Sequence, residues 1–265
     1  MAKFLWAQVY FKHWLAGRLQ EESGGRMSFC YDPDYLADGH PAISYTLPLR
    51  EQPYIHPIGL HPFFDNLVAE GWLENAQTRL LGKRQASRFE LLMTFGMDCQ
   101  GAVSIVDPEP TSLSETLINP DDPIEKAMLM GRASLSGIQP KLALVKENGV
   151  FKPSRINQLS TYIGKFPSHH HDDLVINEYL TTLSLKTLLP DDDTVELLID
   201  SVEGIEQSAL IIKRFDRTES DERIHFEEFN QLLNKHAINK YHGAYRDIAD
   251  WIQTNPQTMK TEIYK

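Results

Sequence analysis

The chain has 265 residues, of which 42% are hydrophobic and 24% are charged, and its formal net charge is -11. This is the composition of a globular protein with a sizeable core, and the acidic balance argues against a surface that grips nucleic acid over its whole extent. Cys30 and Cys99 form no CxxC pair, which argues against a zinc site or a disulfide framework; with neither a signal peptide nor an apolar run of about 18 residues, we predict a cytoplasmic protein without a membrane span.

The first part of the chain predicts a small β-rich unit followed by helices. Short segments rich in aromatic and β-branched residues are typical of a compact barrel or curled sheet; they are residues 4–11, 15–19, 27–31 and 42–47. Helical spacing follows in residues 62–71, 76–81 and 87–95. Residues 101–106 return to a strand pattern.

An acidic, proline-containing stretch, residues 107–122, is the best candidate for a domain boundary. We therefore predict one domain over residues 1–108 and a second over residues 123–265. The second domain begins with a short helix and continues with two strands, a long helix, two strands and two helices. These elements are predicted over residues 123–131, 142–145, 162–166, 172–188, 195–199, 208–214, 226–234 and 244–253.

A turn rich in serine and glycine runs into a lysine at Ser134-Leu-Ser-Gly-Ile-Gln-Pro-Lys141. Phosphates bind best where backbone N–H groups are accessible and a cation is near. Gly137 allows close approach of the backbone, and Lys141 adds the charge. The Walker pattern is missing, and a plain hairpin between two strands would look similar, so both interpretations stay open.

A second lysine stands in an apolar strand, followed by a helix that carries a glutamate. Lys165 lies between Gly164 and Phe166, and Glu178 follows in the helix. A strand lysine held by a helix glutamate, with its ammonium aimed at nucleotide phosphates, is the arrangement of protein kinases. The alternative is an exposed lysine at a sheet edge and an unrelated exposed glutamate.

A strongly apolar strand ends in the charged sequence Lys213-Arg-Phe-Asp-Arg217. In a kinase, the connector after such a strand holds adenine through backbone groups. Lys213, Arg214 and Phe215 are the candidates for this role. A core strand with a polar exit is the alternative.

Together these motifs resemble the HipA family of serine/threonine kinase toxins, and the resemblance covers nearly the whole chain. In the N-terminal half the matching segments are residues 43–49, 62–67, 70–71 and 96–103. In the second half they are residues 134–141, Lys165, residues 177–178, residues 214–217, residues 225–229, Gln231 and Lys240-Tyr241. Ala69 departs from the family, which usually has proline there.

The resemblance implies an ATP- and Mg²⁺-dependent kinase. Its phosphate loop corresponds to Ser136, Gly137, Ile138, Gln139, Pro140 and Lys141, its phosphate-contacting lysine to Lys165, and its adenine connector to Lys213, Arg214 and Phe215. Ser134 matches the autophosphorylated serine, and Ser136 a second such position. The implied partners are a protein substrate such as an aminoacyl-tRNA synthetase and a HipB-like antitoxin, through which alone DNA would be contacted.

Two catalytic motifs of the family, Asp-x-His-x-x-Asn and a later Tyr-Asp, are not visible in the chain. Residues 234–239 imitate the first motif, but they lie inside a segment that matches an earlier stretch of the family. We therefore identify no catalytic residue. The expected fold is α+β: a β-rich HipA-like N-subdomain, a kinase-like N-lobe and the start of a helical C-lobe, truncated before the catalytic loop.

Three explanations of this absence stay open: a natural truncation, a fragment, or a C-lobe supplied by another chain. Apolar surface left uncovered would favour such a partner or self-association. A function of another class also stays open, namely a non-catalytic, pseudokinase-like module that binds or neutralises a partner protein.

The run Ser168-His-His-His-Asp-Asp173 contains residue types that bind metals. Adjacent residues rarely converge on one ion, so we interpret the run as a loop in which Asp172 or Asp173 caps the next helix, and we predict no metal site. His225, beside two glutamates, is interpreted as structural.

Overall fold

The computed structural model describes residues 5–110, 135, 139–155, 158–167, 173–189, 194–220 and 222–255. Its first part is an antiparallel sheet of five strands in the order β4-β3-β2-β1-β5. The strands are β1 (Trp6–Phe11), β2 (Trp14–Glu21), β3 (Met27–Tyr31), β4 (Tyr54–His56) and β5 (Val103–Val106). Alternate residues of β1 and β3 are buried, as the period of two along a strand requires.

Four helices accompany this sheet: α1 (Pro33–Ala37), α2 (Pro62–Asp65), α3 (Gly71–Leu80) and α4 (Arg88–Phe95). Helix α4 begins at a capping box, in which the Ser87 hydroxyl accepts from the Glu90 N–H and the Glu90 carboxylate accepts from the Ser87 N–H. Phe63 and Phe64 of α2 are buried in the core beside Phe29 of β3. The helices thus cover the apolar side of the sheet.

The predicted strand over residues 42–47 is wrong, and the structure places the fourth strand at Tyr54–His56 instead. The segment forms turns that are held by the Tyr31 hydroxyl, which donates to the Leu47 carbonyl and accepts from the Ile43 N–H. Ile43 and Leu47 are buried. Apolar residues spaced four apart are therefore buried here without a ladder of strand hydrogen bonds.

The prediction of one helix over residues 62–71 is also wrong in its length. The observed helix α2 ends at Asp65, and the next helix, α3, begins at Gly71. Gly71 has a φ of 60°, which explains the glycine at this junction. The predicted helix over residues 123–131 and most of the predicted boundary segment lie outside the described residues. The domain limits at residues 108 and 123 therefore stay a prediction.

The second part of the chain folds into a closed barrel with the strand order β10-β8-β6-β7-β9. Its strands are β6 (Lys141–Glu147), β7 (Val150–Pro153), β8 (Tyr162–Lys165), β9 (Leu197–Val202) and β10 (Ile205–Lys213). All pairs are antiparallel except β7 with β9, which pair in parallel at Phe151 and Val202. The interior is filled by buried apolar residues, among them Leu144, Phe151, Ala209 and Ile211.

One long helix, α5 (Leu174–Leu188), packs against β9 and β10. The chain then continues through α6 (Phe229–Leu232), a 3₁₀ turn at Ala237–Asn239 and α7 (Tyr245–Thr254). The prediction of a long helix between strands, followed by two more helices, is confirmed. The Asp173 side chain makes no capping hydrogen bond to α5, and residues 168–172 lie outside the described residues.

The part of the chain that contains β1–β5 and α1–α4 is called the sheet domain below. A cluster of charges connects this sheet domain to the barrel. Its members are Asp98, Arg214, Asp216, Arg217 and Arg223. The Arg217 guanidinium lies 2.9 Å from Oδ1 of Asp98 and 2.8 Å from Oδ2 of Asp216. Burial alone would raise the pKa of Asp98, but the surrounding arginines hold it below its ordinary value.

The cluster also binds backbone. The Cys99 carbonyl accepts hydrogen bonds from Arg214, Arg217 and Arg223, and the Gly101 N–H donates to Asp216. Gly101 has a φ of +70°, and a Cβ there would lie 2.9 Å from the Phe226 carbonyl oxygen. Only glycine therefore allows this close approach of the two parts of the chain.

We predict that Asp98→Asn destabilises the protein by about 3–5 kcal/mol, because it leaves buried guanidinium groups without a counter-charge. Asp250→Asn, which removes an exposed pair with Arg246, is the matched control and should change stability by less than about 0.5 kcal/mol. Urea unfolding at pH 7 measures both. An Asp98→Asn protein as stable as the control would contradict the role given to the cluster.

The same experiment has a pH dependence. The pKa of Asp98 is lower in the folded than in the unfolded chain. Its contribution to the free energy of unfolding is therefore complete above about pH 4 and is lost as the pH falls through the pKa of the folded state. The difference between wild type and Asp98→Asn should therefore shrink in acid.

Candidate functional site

The two lysines that the sequence singled out lie side by side on the barrel. Lys141 of β6 and Lys165 of β8 are directly opposite each other in the antiparallel pair. Directly opposed residues of neighbouring strands point to the same face of a sheet. The structure thus brings the two ammonium-bearing side chains to one surface.

Lys141 is buried, with 7% of its surface exposed. Burial is the main cause that lowers its pKa from 10.5 to about 8, and the charges of Lys165 and Lys240 lower it further. Glu70 and Glu178 act in the opposite direction. Lys141 is therefore a buried lysine with both like and opposite charges near it.

Lys165 has a single close partner in the described part of the chain. Its Nζ lies 2.6 Å from Oε1 of Glu178, which comes from the first half of α5. Both side chains are half-buried, so the pair is less screened than a surface ion pair. As the sequence predicted, the lysine of this pair lies on a strand and the glutamate lies on the following helix.

The end of the serine-glycine turn is tied to the neighbouring strand. The Gln139 side-chain amide donates to the Phe166 carbonyl at 3.0 Å, and the Phe166 N–H donates to the Pro140 carbonyl at 2.9 Å. These bonds place the turn directly beside Lys165. Ser134, Ser136, Gly137 and Ile138 lie outside the described residues.

The side chains of the connector at the end of β10, residues 213–215, do not join the lysine pair. Leu210 is opposite Lys165 and Lys213 is opposite Tyr162, so the Lys213 side chain is on the other face of the sheet. Lys213 pairs with Glu196 and Glu219, and Arg214 is buried in the charge cluster.

Phe215 is the exposed member of the connector. It is 62% exposed and lies against Phe226, with a distance of 4.8 Å between the ring centroids. The Arg214 N–H already donates to the Thr161 carbonyl. A ligand at the connector would therefore meet the Phe215 ring and backbone rather than the two basic side chains.

Sequence reasoning missed a group of residues near Lys141. Nζ of Lys240 lies 2.7 Å from Oε2 of Glu228 and 3.6 Å from Oε1 of Glu70. Burial and the charge of Glu70 raise the pKa of Tyr241, whose hydroxyl donates a hydrogen bond to Glu70. Glu70 and Lys240-Tyr241 occur in motifs that the family resemblance includes, but the sequence alone assigns them no role.

His225 packs edge-on against Phe11 and lies 3.8 Å from Glu227, which accepts from the Ser44 hydroxyl and the Tyr45 N–H. This supports its structural interpretation. In the described part of the chain, no three His, Cys, Asp or Glu residues are placed to hold a metal ion. No helix there is long and apolar enough to cross a membrane.

A solved structure has a similar fold: the complex of HipA, HipB and operator DNA from the Shewanella oneidensis MR-1 toxin–antitoxin system. Its matched chain is 26% identical, with a TM-score of 0.62, and the match covers 92% of the present chain and 60% of the other. Together with the observed sheet and barrel, this defines an α+β protein of the HipA-like fold.

Family models give the same result. The HipA N-terminal domain model matches residues 7–106, and the HipA-like C-terminal domain model matches residues 133–265. The chain belongs to the HipA-like kinase family.

Two relatives show how much of the family the chain contains. The serine/threonine-protein kinase toxin HipA of Shewanella oneidensis is 28% identical over 272 residues, which cover 94% of the present chain and 60% of that protein. Y4dM of Sinorhizobium fredii is 29% identical over 250 residues, covering 84% of the present chain and 58% of Y4dM. The chain thus spans about 60% of the length of these relatives.

We predict that Lys141 titrates near pH 8, because burial and two neighbouring ammonium groups disfavour its charged form. NMR of lysine labelled at carbon ε measures this titration. Lys165→Met should raise the pKa of Lys141 by removing one positive neighbour. A Lys141 signal that titrates with surface lysines near 10.5 would contradict the described environment.

Proposed function

We propose that the chain binds ATP as the nucleotide-binding part of a HipA-like serine/threonine protein kinase. The observation that carries this proposal is the pair of lysines in register on β6 and β8, one of them held by a glutamate of α5. This is the lysine–glutamate arrangement that protein kinases use to position nucleotide phosphates.

The low pKa of Lys141 supports an anionic ligand. An ammonium that is destabilised by burial and by like charges regains its proton when a negative group comes near. A triphosphate beside Lys141 and Lys165 would supply that group. Binding would therefore be coupled to proton uptake near pH 8.

The other sequence-derived roles belong to the same proposal. Ser136, Gly137, Ile138, Gln139 and Pro140 would form the phosphate loop with Lys141. Lys213, Arg214 and Phe215 would form the connector, with Phe215 packing against adenine and the two basic residues fixing the connector through their ion pairs. Ser134 and Ser136 would be the sites of autophosphorylation.

Mg²⁺ would enter with the nucleotide, since the described residues offer no cluster of metal ligands. When bound, it would neutralise phosphate charge. The remaining proposals rest on relatives: a HipB-like antitoxin as partner, because the similar solved HipA is bound to HipB and operator DNA, and a protein substrate such as an aminoacyl-tRNA synthetase.

Helix α5 presents apolar side chains to solvent, including Leu180, Leu183 and Leu188. An uncovered apolar strip on a helix is typical of an interface. This supports the proposal that a further lobe packs here in the assembled kinase, whether it belongs to the same chain or to another.

The central test is nucleotide affinity. Lys165→Ala should weaken ATP binding at least about tenfold, because it removes a charge that contacts phosphate. Glu178→Gln should also weaken ATP binding, because it frees Lys165 to move. Lys152→Ala is the control, since Lys152 of β7 pairs with Glu147 and Glu203 and not with a residue of the lysine site. Isothermal titration calorimetry with Mg-ATP measures all three; equal affinities for the Lys165 and Lys152 variants would overturn the proposal.

A second test uses charge repulsion. A phosphoserine brings nearly two negative charges, so Ser134→Asp should abolish ATP affinity if Ser134 lies beside the phosphate site. Ser23→Asp adds the same charge at an exposed position of the sheet domain and should leave affinity unchanged. Retained affinity in the Ser134 variant would remove Ser134 from the site.

Mass spectrometry after incubation with Mg-ATP separates two functions. Phosphate on Ser134 or Ser136 would favour the kinase. Nucleotide binding without any transfer would favour a non-catalytic interaction module, which the sequence supports because neither catalytic motif of the family is visible in it.

A further inference from the structure

Lys141 and Lys165 are not the only charged residues at their surface. Lys240, which follows the 3₁₀ turn at Ala237–Asn239, is close enough to Lys141 for its charge to lower the pKa of that lysine. Glu70, which precedes α3 in the sheet domain, is close enough to raise it. A carboxylate of the sheet domain and a third ammonium therefore share the surroundings of Lys141.

Among the described residues, this site contains as many carboxylates as ammonium groups. Three lysines, Lys141, Lys165 and Lys240, stand beside three glutamates, Glu70, Glu178 and Glu228. A polyphosphate would add several negative charges to a site that already contains three carboxylates. Binding is favoured if one resident carboxylate gives up its lysine to the ligand.

The three ion pairs of these described residues differ in contact distance. Lys165 is held by Glu178 at 2.6 Å, and Lys240 is held by Glu228 at 2.7 Å. The contact between Lys240 and Glu70 is the longest of the three, at 3.6 Å. Tyr241 donates a hydrogen bond to Glu70 and would keep this carboxylate satisfied after Lys240 moves.

We propose that Lys240 is a third cation of the phosphate site and that Glu70, from the sheet domain, is the more distant of its two resident counter-ions and the one that the nucleotide displaces. The inference rests on the proposed ATP site. It assigns the sheet domain a direct electrostatic part in nucleotide binding: a negative charge at Glu70 competes with phosphate for Lys240, and a bound nucleotide releases Glu70.

The two substitutions that test this have effects of opposite sign. Glu70→Gln removes the competing charge and should tighten ATP binding about fivefold, whereas Lys240→Ala should weaken it about fivefold, the size expected for one charge near the ligand in a partly buried site. Glutamine retains the shape of Glu70, whose side chain makes no capping bond to α3. Lys235→Ala, which breaks an ion pair with Asp247 on the same segment, is the matched control and should bind as wild type does.

A ligand series separates an electrostatic role from a structural one. The effects of Glu70→Gln and Lys240→Ala on Kd should increase from AMP through ADP to ATP and vanish for adenosine. An equal effect on all four ligands would mean that the substitutions merely disturb the fold, and it would overturn the proposal.

A ligand-free measurement adds an independent outcome. By NMR of labelled lysine, Glu70→Gln should lower the pKa of Lys141 and Lys240→Ala should raise it. If wild type binds ATP and Lys165→Ala does not, but both new variants match wild type in affinity and in the pKa of Lys141, this inference fails while the proposed function stands. If wild type binds no nucleotide, both fail.

Discussion

Three arginines and two aspartates lie between the sheet domain and the barrel, and they set how the two parts of the molecule fit together. All of them except Arg223 are buried. Arg214 and Arg217 flank Asp216 at the end of β10, and they reach Asp98 and the Cys99 carbonyl of the sheet domain. Charge-assisted hydrogen bonds depend strongly on direction. The barrel is therefore fixed against the sheet by geometry as well as by apolar contact, and the connector after β10 is fixed with it.

The lysine site depends on a second constraint, the register of β6 and β8. A slip of one residue would move Lys165 to the opposite face from Lys141. Gly164 helps to prevent the slip, because a slip would place a larger residue at this position. Any Cβ there would lie 2.7 Å from Leu144 in the barrel interior. The glycine beside Lys165 thus holds the strand closely against its neighbour, and the lysines stay side by side.

The sequence predicted those parts of the structure that depend on short spacings. Lys165 and Glu178 are thirteen residues apart, and a strand followed by a helix is enough to expect their contact. The charge cluster could not be predicted in this way, because Asp98 and Arg217 are separated by 119 positions and no local pattern links them. Glu70 and Lys240 were missed for the same reason, although both stand in recognisable motifs.

The prediction of a strand over residues 42–47 failed for a different reason. Alternating apolar residues also occur where a turn is pinned by one side chain, here Tyr31, and the pattern does not distinguish the two. The true fourth strand, β4, has three residues and lies between prolines, so it carries too little periodicity to be recognised.

The parallel contact that closes the barrel has a consequence for how the chain acquires its structure. Phe151 and Val202 come from strands separated by β8 and the whole of α5, so they meet only after a long loop has been closed. Pairings of this kind lose much chain entropy before they gain contacts, and they form slowly. The hairpin of β6 and β7 and the neighbouring hairpin of β9 and β10 can form early, and the joining of the two hairpins should be among the last events of folding.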